Sequence, residues 1–212
     1  KEFCKKNKIQ SLGLSDTNIL SGALEFSDNL SSVGTKPIIG TQILFKYKDF
    51  TGFIPLIAKN NYGYNNIIEL SSKSYLENSE LTDPHCKFED LLNQSSGVIV
   101  LSGSIRCLIG SLFNKGLLQE IYDIVENISN SFGDDFYLEI QRHNDLNENE
   151  FENFILNISK KFNLPIIATN EVYYLDQNMY EAHDALMCIG NKTYLNDTNR
   201  LKLSNQHYFK SS

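Results

Sequence analysis

Five short polar clusters, each following an apolar run, hold most of the groups in this sequence that could do chemistry. They are Asp16, Gly40-Thr41-Gln42, Ser102-Gly103-Ser104, Gln141-Arg142-His143 and Asn170-Glu171. Carboxylates and imidazoles are donor types that hold divalent cations, and a metal with an open position can generate hydroxide and clamp a phosphate. Metal-assisted phosphoester chemistry is the activity that such a set would suit. Competing chemistries lack their spacing. Ser102-Gly103-Ser104 has no flanking nucleophile-elbow pattern, and no glycine-rich phosphate loop of the Walker type occurs. Cys4, Cys86, Cys107 and Cys188 form no Cys-x-x-Cys pair, which argues against a zinc knuckle or redox motif and for reduced thiols. His183 and Asp184 are neighbours on an expected helix, where adjacent side chains point about 100° apart, so packing and hydrogen bonding are their expected roles. His85 and His207 have no ligand-spaced partner and read as structural or solvent-exposed.

The elements that must position these groups alternate along the chain. Strands are expected at Ser11 to Ser15, Pro37 to Phe45, Phe53 to Ala58, Val98 to Leu101, Phe136 to Ile140 and Pro165 to Thr169, most of them near-continuously apolar, as in a parallel sheet covered on both faces. Helices are expected at Tyr64 to Leu76, opened by Asn61-Tyr62-Gly63; at Ile109 to Phe132, ended by Gly133; at Asn149 to Phe162; and at Met179 to Ile189. Glu77 to Pro84 reads as a surface loop. Strand and helix units of this kind form an α/β sheet or barrel, and both place functional groups beyond the carboxyl ends of strands, where the five clusters fall.

Composition sets the outer limits. A chain of 212 residues with 41% hydrophobic content suits one globular domain, and no apolar run approaches the length of a bilayer span. A net charge of −7 repels a phosphate backbone, so this region is not expected to be the main grip on DNA. A cytoplasmic location is expected.

Several blocks in collinear order resemble one family. They are Ser15-Asp16-Thr17-Asn18 with Gly22 to Phe26, Lys36-Pro37-Ile38-Ile39-Gly40, Ile57 to Asn60 with Gly63-Tyr64, Val98 to Gly103, Phe132 to Gln141, Ala168-Thr169-Asn170, Glu181 to Leu186 and the closing Gln206 to Ser211. Together they resemble the polymerase-and-histidinol-phosphatase (PHP) domain of bacterial DNA polymerase III alpha subunits, and Gln141-Arg142-His143 with Met179 to Asp184 resembles the alphaproteobacterial branch. The resemblance implies a distorted seven-stranded (βα) PHP-type barrel over residues 1–212. That barrel is expected to be incomplete at the N-terminus, because the chain begins at Lys1 without the family's first strand. It further implies a parent DNA-directed DNA polymerase that uses magnesium, with its catalytic carboxylates outside this region and DNA held mainly by other domains. The implied partners are a proofreading exonuclease subunit, docked on this domain, and the other holoenzyme subunits. A free-standing histidinol-phosphatase type fits less well, since it has no reason to carry the closing segment Arg200 to Lys210.

The resemblance also supplies a ligand census. Asp16, His143 and Glu171 are the residual metal-ligand candidates. Thr17 stands where the family has a histidine, Gln42 where it has an acid, Ser104 where it has a cysteine and Tyr173 where it has a second histidine; an opening His-x-His would lie upstream of Lys1. Three dispersed donors cannot hold a polynuclear cluster. Replacing ligands by neutral Gln42 and Ser104 also relieves the repulsion that clustered carboxylates suffer without cations. A degenerate, non-catalytic site serving as scaffold is the expectation. The alternative is an active metal-dependent phosphoesterase or 3′-5′ exonuclease that binds zinc or manganese.

Overall fold

The computed structural model describes residues 1–78 and 82–210. In chain order the elements are α1 (Glu2–Asn7), β1 (Ser11–Thr17), α2 (Ala23–Ser31), β2 (Lys36–Tyr47), β3 (Phe50–Ala58), α3 (Asn61–Leu76), β4 (Cys86–Lys87), α4 (Phe88–Asn93), β5 (Val98–Leu101), α5 (Leu108–Asn114), α6 (Leu118–Phe132), β6 (Phe136–Ile140), α7 (Glu148–Phe162), β7 (Ile166–Ala168) and α8 (Tyr180–Asn191). The strands form one curled sheet in the order β1-β2-β3-β5-β6-β7, with the short β4 added beside β2. This is the α/β architecture expected from the strand and helix pattern, and it is consistent with the PHP-type fold that the resemblance implied. Ser79, Glu80 and Leu81, within the expected loop, lie outside the described residues.

The direction of one strand departs from the parallel expectation. β1 and β2 are parallel, as are β5, β6 and β7, but β3 runs against both β2 and β5. The cause is local: β2 and β3 are longer than expected and meet in a tight hairpin at Lys48-Asp49, where Lys48 takes a φ of 53°. The remaining strands share one direction, so their carboxyl ends face one rim.

The core is built where branched and aromatic residues from sheet and helices meet. Ile43 and Phe45 of β2, Ile54 and Leu56 of β3, Val98 and Val100 of β5, and Phe136 and Leu138 of β6 are buried. The stripe Ile121, Ile124, Val125, Ile128 and Phe132 covers them from α6, and Phe151, Ile155 and Ile158 do so from α7. The single helix expected from Ile109 to Phe132 is two helices. Gly116, at φ 70°, ends α5 in a Schellman arrangement: Leu117 N–H donates to the Leu112 carbonyl at 3.0 Å and Gly116 N–H to that of Phe113 at 2.9 Å. Gly133 ends α6 as expected, with φ 52°. α3 begins at Asn61 and is capped by Asn60, whose side chain accepts from Gly63 N–H at 3.0 Å; Asn61-Tyr62-Gly63 therefore form its first turn. Gly63 is required there, since a Cβ on it would lie 1.7 Å from the Gly97 carbonyl oxygen.

Candidate functional site at the carboxyl rim of the sheet

Side-chain contacts at the rim link its residues into two groups. At the β1–β2 end, Thr17 and Gln42 are register partners, and the Gln42 amide donates to the Thr17 hydroxyl at 3.1 Å. Gln42 lies inside β2, not after a strand end, because β2 continues to Tyr47. Thus two of the substituted ligand positions bond to each other. Asp16 is held beside them by its backbone, whose carbonyl accepts from the fully buried Thr41 hydroxyl at 2.7 Å.

The second group gathers at the ends of β5, β6 and β7, centred on His143. Its ring is buried and stacks on that of His207, with centroids 4.0 Å apart and planes 9° from parallel. The hydrogen-bond network fixes the tautomers. Asn170 donates through its amide nitrogen to the Tyr208 carbonyl at 2.9 Å, so its oxygen faces His143 Nε2 at 3.0 Å and that nitrogen carries the proton. Arg106 donates towards His207 Nε2 at 3.4 Å, which leaves His207 Nδ1–H to donate to the Glu171 carbonyl at 3.2 Å. Burial holds the His143 imidazolium pKa below its ordinary value, and burial, aided by His143 and Arg106, brings that of His207 down to about 4.

Carboxylates complete the surroundings and are engaged through at least one oxygen, although Glu139 Oε2 is buried without a hydrogen-bond partner among the described residues. Glu148, at the start of α7, accepts the backbone N–H of His143 and of Asn144 at 2.8 Å each, shaping the turn that presents the imidazole. Glu171 accepts the Tyr173 phenol at 2.6 Å, so the acid and the residue in the second-histidine position are partners; burial, then the Glu171 charge, raises the pKa of that phenol. Arg106 pairs with Asp145. Glu139 is buried on β6 and accepts from Thr169 and from Gln141, and burial pushes its carboxyl above the ordinary range. Ser104 lies 3.7 Å from the Cys107 sulfur, but burial raises that thiol to about 12, leaving it protonated and a poor metal ligand.

Asp16 therefore belongs to the β1–β2 group, and His143 and Glu171 to the other. Among the described residues no three His, Cys, Asp or Glu side chains gather as a metal-holding group. Within this group, the protonated His143 Nε2 has no lone pair to offer, while its Nδ1 keeps one and lies 4.0 Å from Glu148. The residues present in this region do not fit a polynuclear centre.

His207, read from the sequence as structural or solvent-exposed, is structural: it is completely buried and stacked on His143, a partner the sequence did not indicate. Spacing could not show this, because the pairing is made by the last segment returning to the rim. Tyr173 N–H donates to the His207 carbonyl and Phe209 N–H to that of Tyr174, both at 3.0 Å. Glu139 did leave a signal, as a carboxylate within the apolar strand Phe136–Ile140. Asp184 packs as expected: it is buried and accepts two hydrogen bonds from Arg200, at 2.6 and 2.7 Å. His85 is held by its own loop, with Nδ1 2.8 Å from the Asp83 carbonyl. All four cysteines are free and buried.

Similarity to known proteins is extensive. The DNA polymerase III alpha subunit of Caulobacter vibrioides is 33% identical over 96% of this chain, that of Rickettsia bellii 35% over 100%, and that of Pasteurella multocida 34% over 98%. The chain spans 18% of the length of each of these relatives. A solved structure from Bifidobacterium adolescentis, assigned as a metal-dependent phosphoesterase, shares the fold with a TM-score of 0.52 and 12% identity, covering 80% of this chain and 79% of the other. The family model for the PHP domain matches residues 2–143, the stretch from α1 to the stacked histidine. With that match and this rim, the chain belongs to the PHP domain family.

Proposed function

We propose that this chain is the PHP domain of a DNA polymerase III alpha subunit and acts there as a non-catalytic scaffold. The observation that carries the reading is the 33–35% identity to alpha subunits across nearly the whole chain. The scaffold role draws support from the rim, where the residues at ligand positions bond to one another: Thr17 to Gln42, His143 to Asn170, and Tyr173 to Glu171. These bonds offset the desolvation that an open metal crater would leave uncompensated.

In this reading, nucleotidyl transfer with magnesium takes place in parts of the longer polypeptide outside these residues. The domain braces those parts and offers a docking surface to a proofreading exonuclease subunit within a cytoplasmic replication assembly. Among the described residues no helix is long and apolar enough to cross a membrane. The net charge of −7 suits a brace more than a DNA grip. Template-directed primer extension by the natural full-length protein tests the reading. Extension that is unchanged by His143→Ala is expected, whereas a protein without polymerase activity would refute the assignment.

A further inference from the structure

A groove of about 500 Å³ runs between α5, the turn after β6 and the stretch Leu201-Lys202. Asp16, His143, Glu171 and His207 do not line it, so it is separate from the rim groups described above. Its polar lining consists almost wholly of donors. Arg106 spends Nη2 on Asp145 and His207, and its remaining guanidinium N–H groups meet no protein acceptor among the described residues. Ser111, Asn114 and Lys115 stand three and four residues apart on and just after α5, hence on one face. Asn114 accepts from Asn147 through its side-chain oxygen at 3.1 Å, which leaves its amide N–H groups to donate. Lys115 lies over the Phe50 ring, 4.8 Å from its centre, and has no carboxylate partner among the described residues. The acid near Lys202 is Asp184, already taken by two bonds from Arg200. Asp145, the one acid in the lining, is likewise committed to Arg106.

Three cations against one carboxylate leave the groove with a charge of +2 in a chain whose net charge is −7. A local reversal of this kind concentrates anions. The rest of the lining is apolar, for Leu146 and Leu201 are 85% and 63% exposed beside Ile105. A bare inorganic anion would leave those side chains in water, and the volume falls in the range of about 300–1,000 Å³ that holds organic ligands. We infer that the groove binds a phosphate monoester of nucleotide size, with its phosphate on Arg106, Lys115 and Lys202 and its apolar body against Leu146 and Leu201. Ser111 and Asn114 add neutral donors, which suit phosphate oxygens because these only accept.

Amine acetylation of the natural full-length protein, read residue by residue by mass spectrometry, tests this with deoxyadenosine monophosphate as the probe. At saturation, labelling of Lys115 and Lys202 is expected to fall to about a tenth while that of exposed Lys5 stays constant. Lys202→Glu should abolish the protection of Lys115. Deoxyadenosine, without the phosphate, should protect neither lysine, and inorganic phosphate should protect them only at concentrations about tenfold higher. Undiminished labelling in millimolar probe, protection of all lysines alike, or equal protection by inorganic phosphate and by the ester would each overturn the inference.

Discussion

Acidification attacks the stacked pair of imidazoles, and its effect can be worked out from the geometry. His207 is completely buried, with His143 on its face and the Arg106 guanidinium at its edge, so protonation places a cation against a ring and a second cation. Its folded-state pKa is about 4, against an ordinary 6.5. Because the folded value is the lower one, the unfolded chain takes up the proton first. The contribution of His207 is complete above about pH 6.5 and is lost as pH falls towards about 4. Linkage over that window amounts to about 2 to 3 kcal/mol by pH ~4.5. The lowered pKa of His143 acts in the same direction. Urea unfolding followed by tyrosine circular dichroism, at steps from about pH 7.5 to 4.5, would show the midpoint falling. His207→Phe keeps a ring for the stack and removes the titration, so the midpoint of this variant should fall much less steeply. An equally steep decline in both proteins would refute the reasoning.

Substitutions at two further positions test how the frame is held. Gly63→Ala drives a methyl into the Gly97 carbonyl, which the wild type approaches closely, and should cost about 3 kcal/mol in urea unfolding. Arg200→Ala leaves the buried Asp184 carboxylate without its two donors, so hydrogen exchange in α8 should accelerate; Arg200→Lys, lacking the planar fork, should not restore protection.

The frame was more legible in the sequence than the site. Apolar runs placed the six principal strands, and the stripe Phe151, Ile155 and Ile158 placed α7, because burial leaves a periodic trace. Strand direction leaves none: Phe53 to Ala58 reads the same either way, and the Lys48-Asp49 turn lacks the Asn-Gly signature of a hairpin. Gly116 was readable as a helix end but lay inside a stripe that continued in register on both sides. The stack of His143 on His207 joins residues 64 positions apart in the chain, and only the path of the final segment decides it.

The role proposed for this rim is that of a scaffold and not a metal centre. Elemental mass spectrometry of the full-length protein, paired with cleavage of single-stranded DNA in manganese, addresses it most directly. No tightly bound metal at the rim and no cleavage assignable to His143 are expected. Two or more retained metals, with cleavage abolished by His143→Ala, would contradict the scaffold reading and identify an active phosphoesterase or 3′-5′ exonuclease.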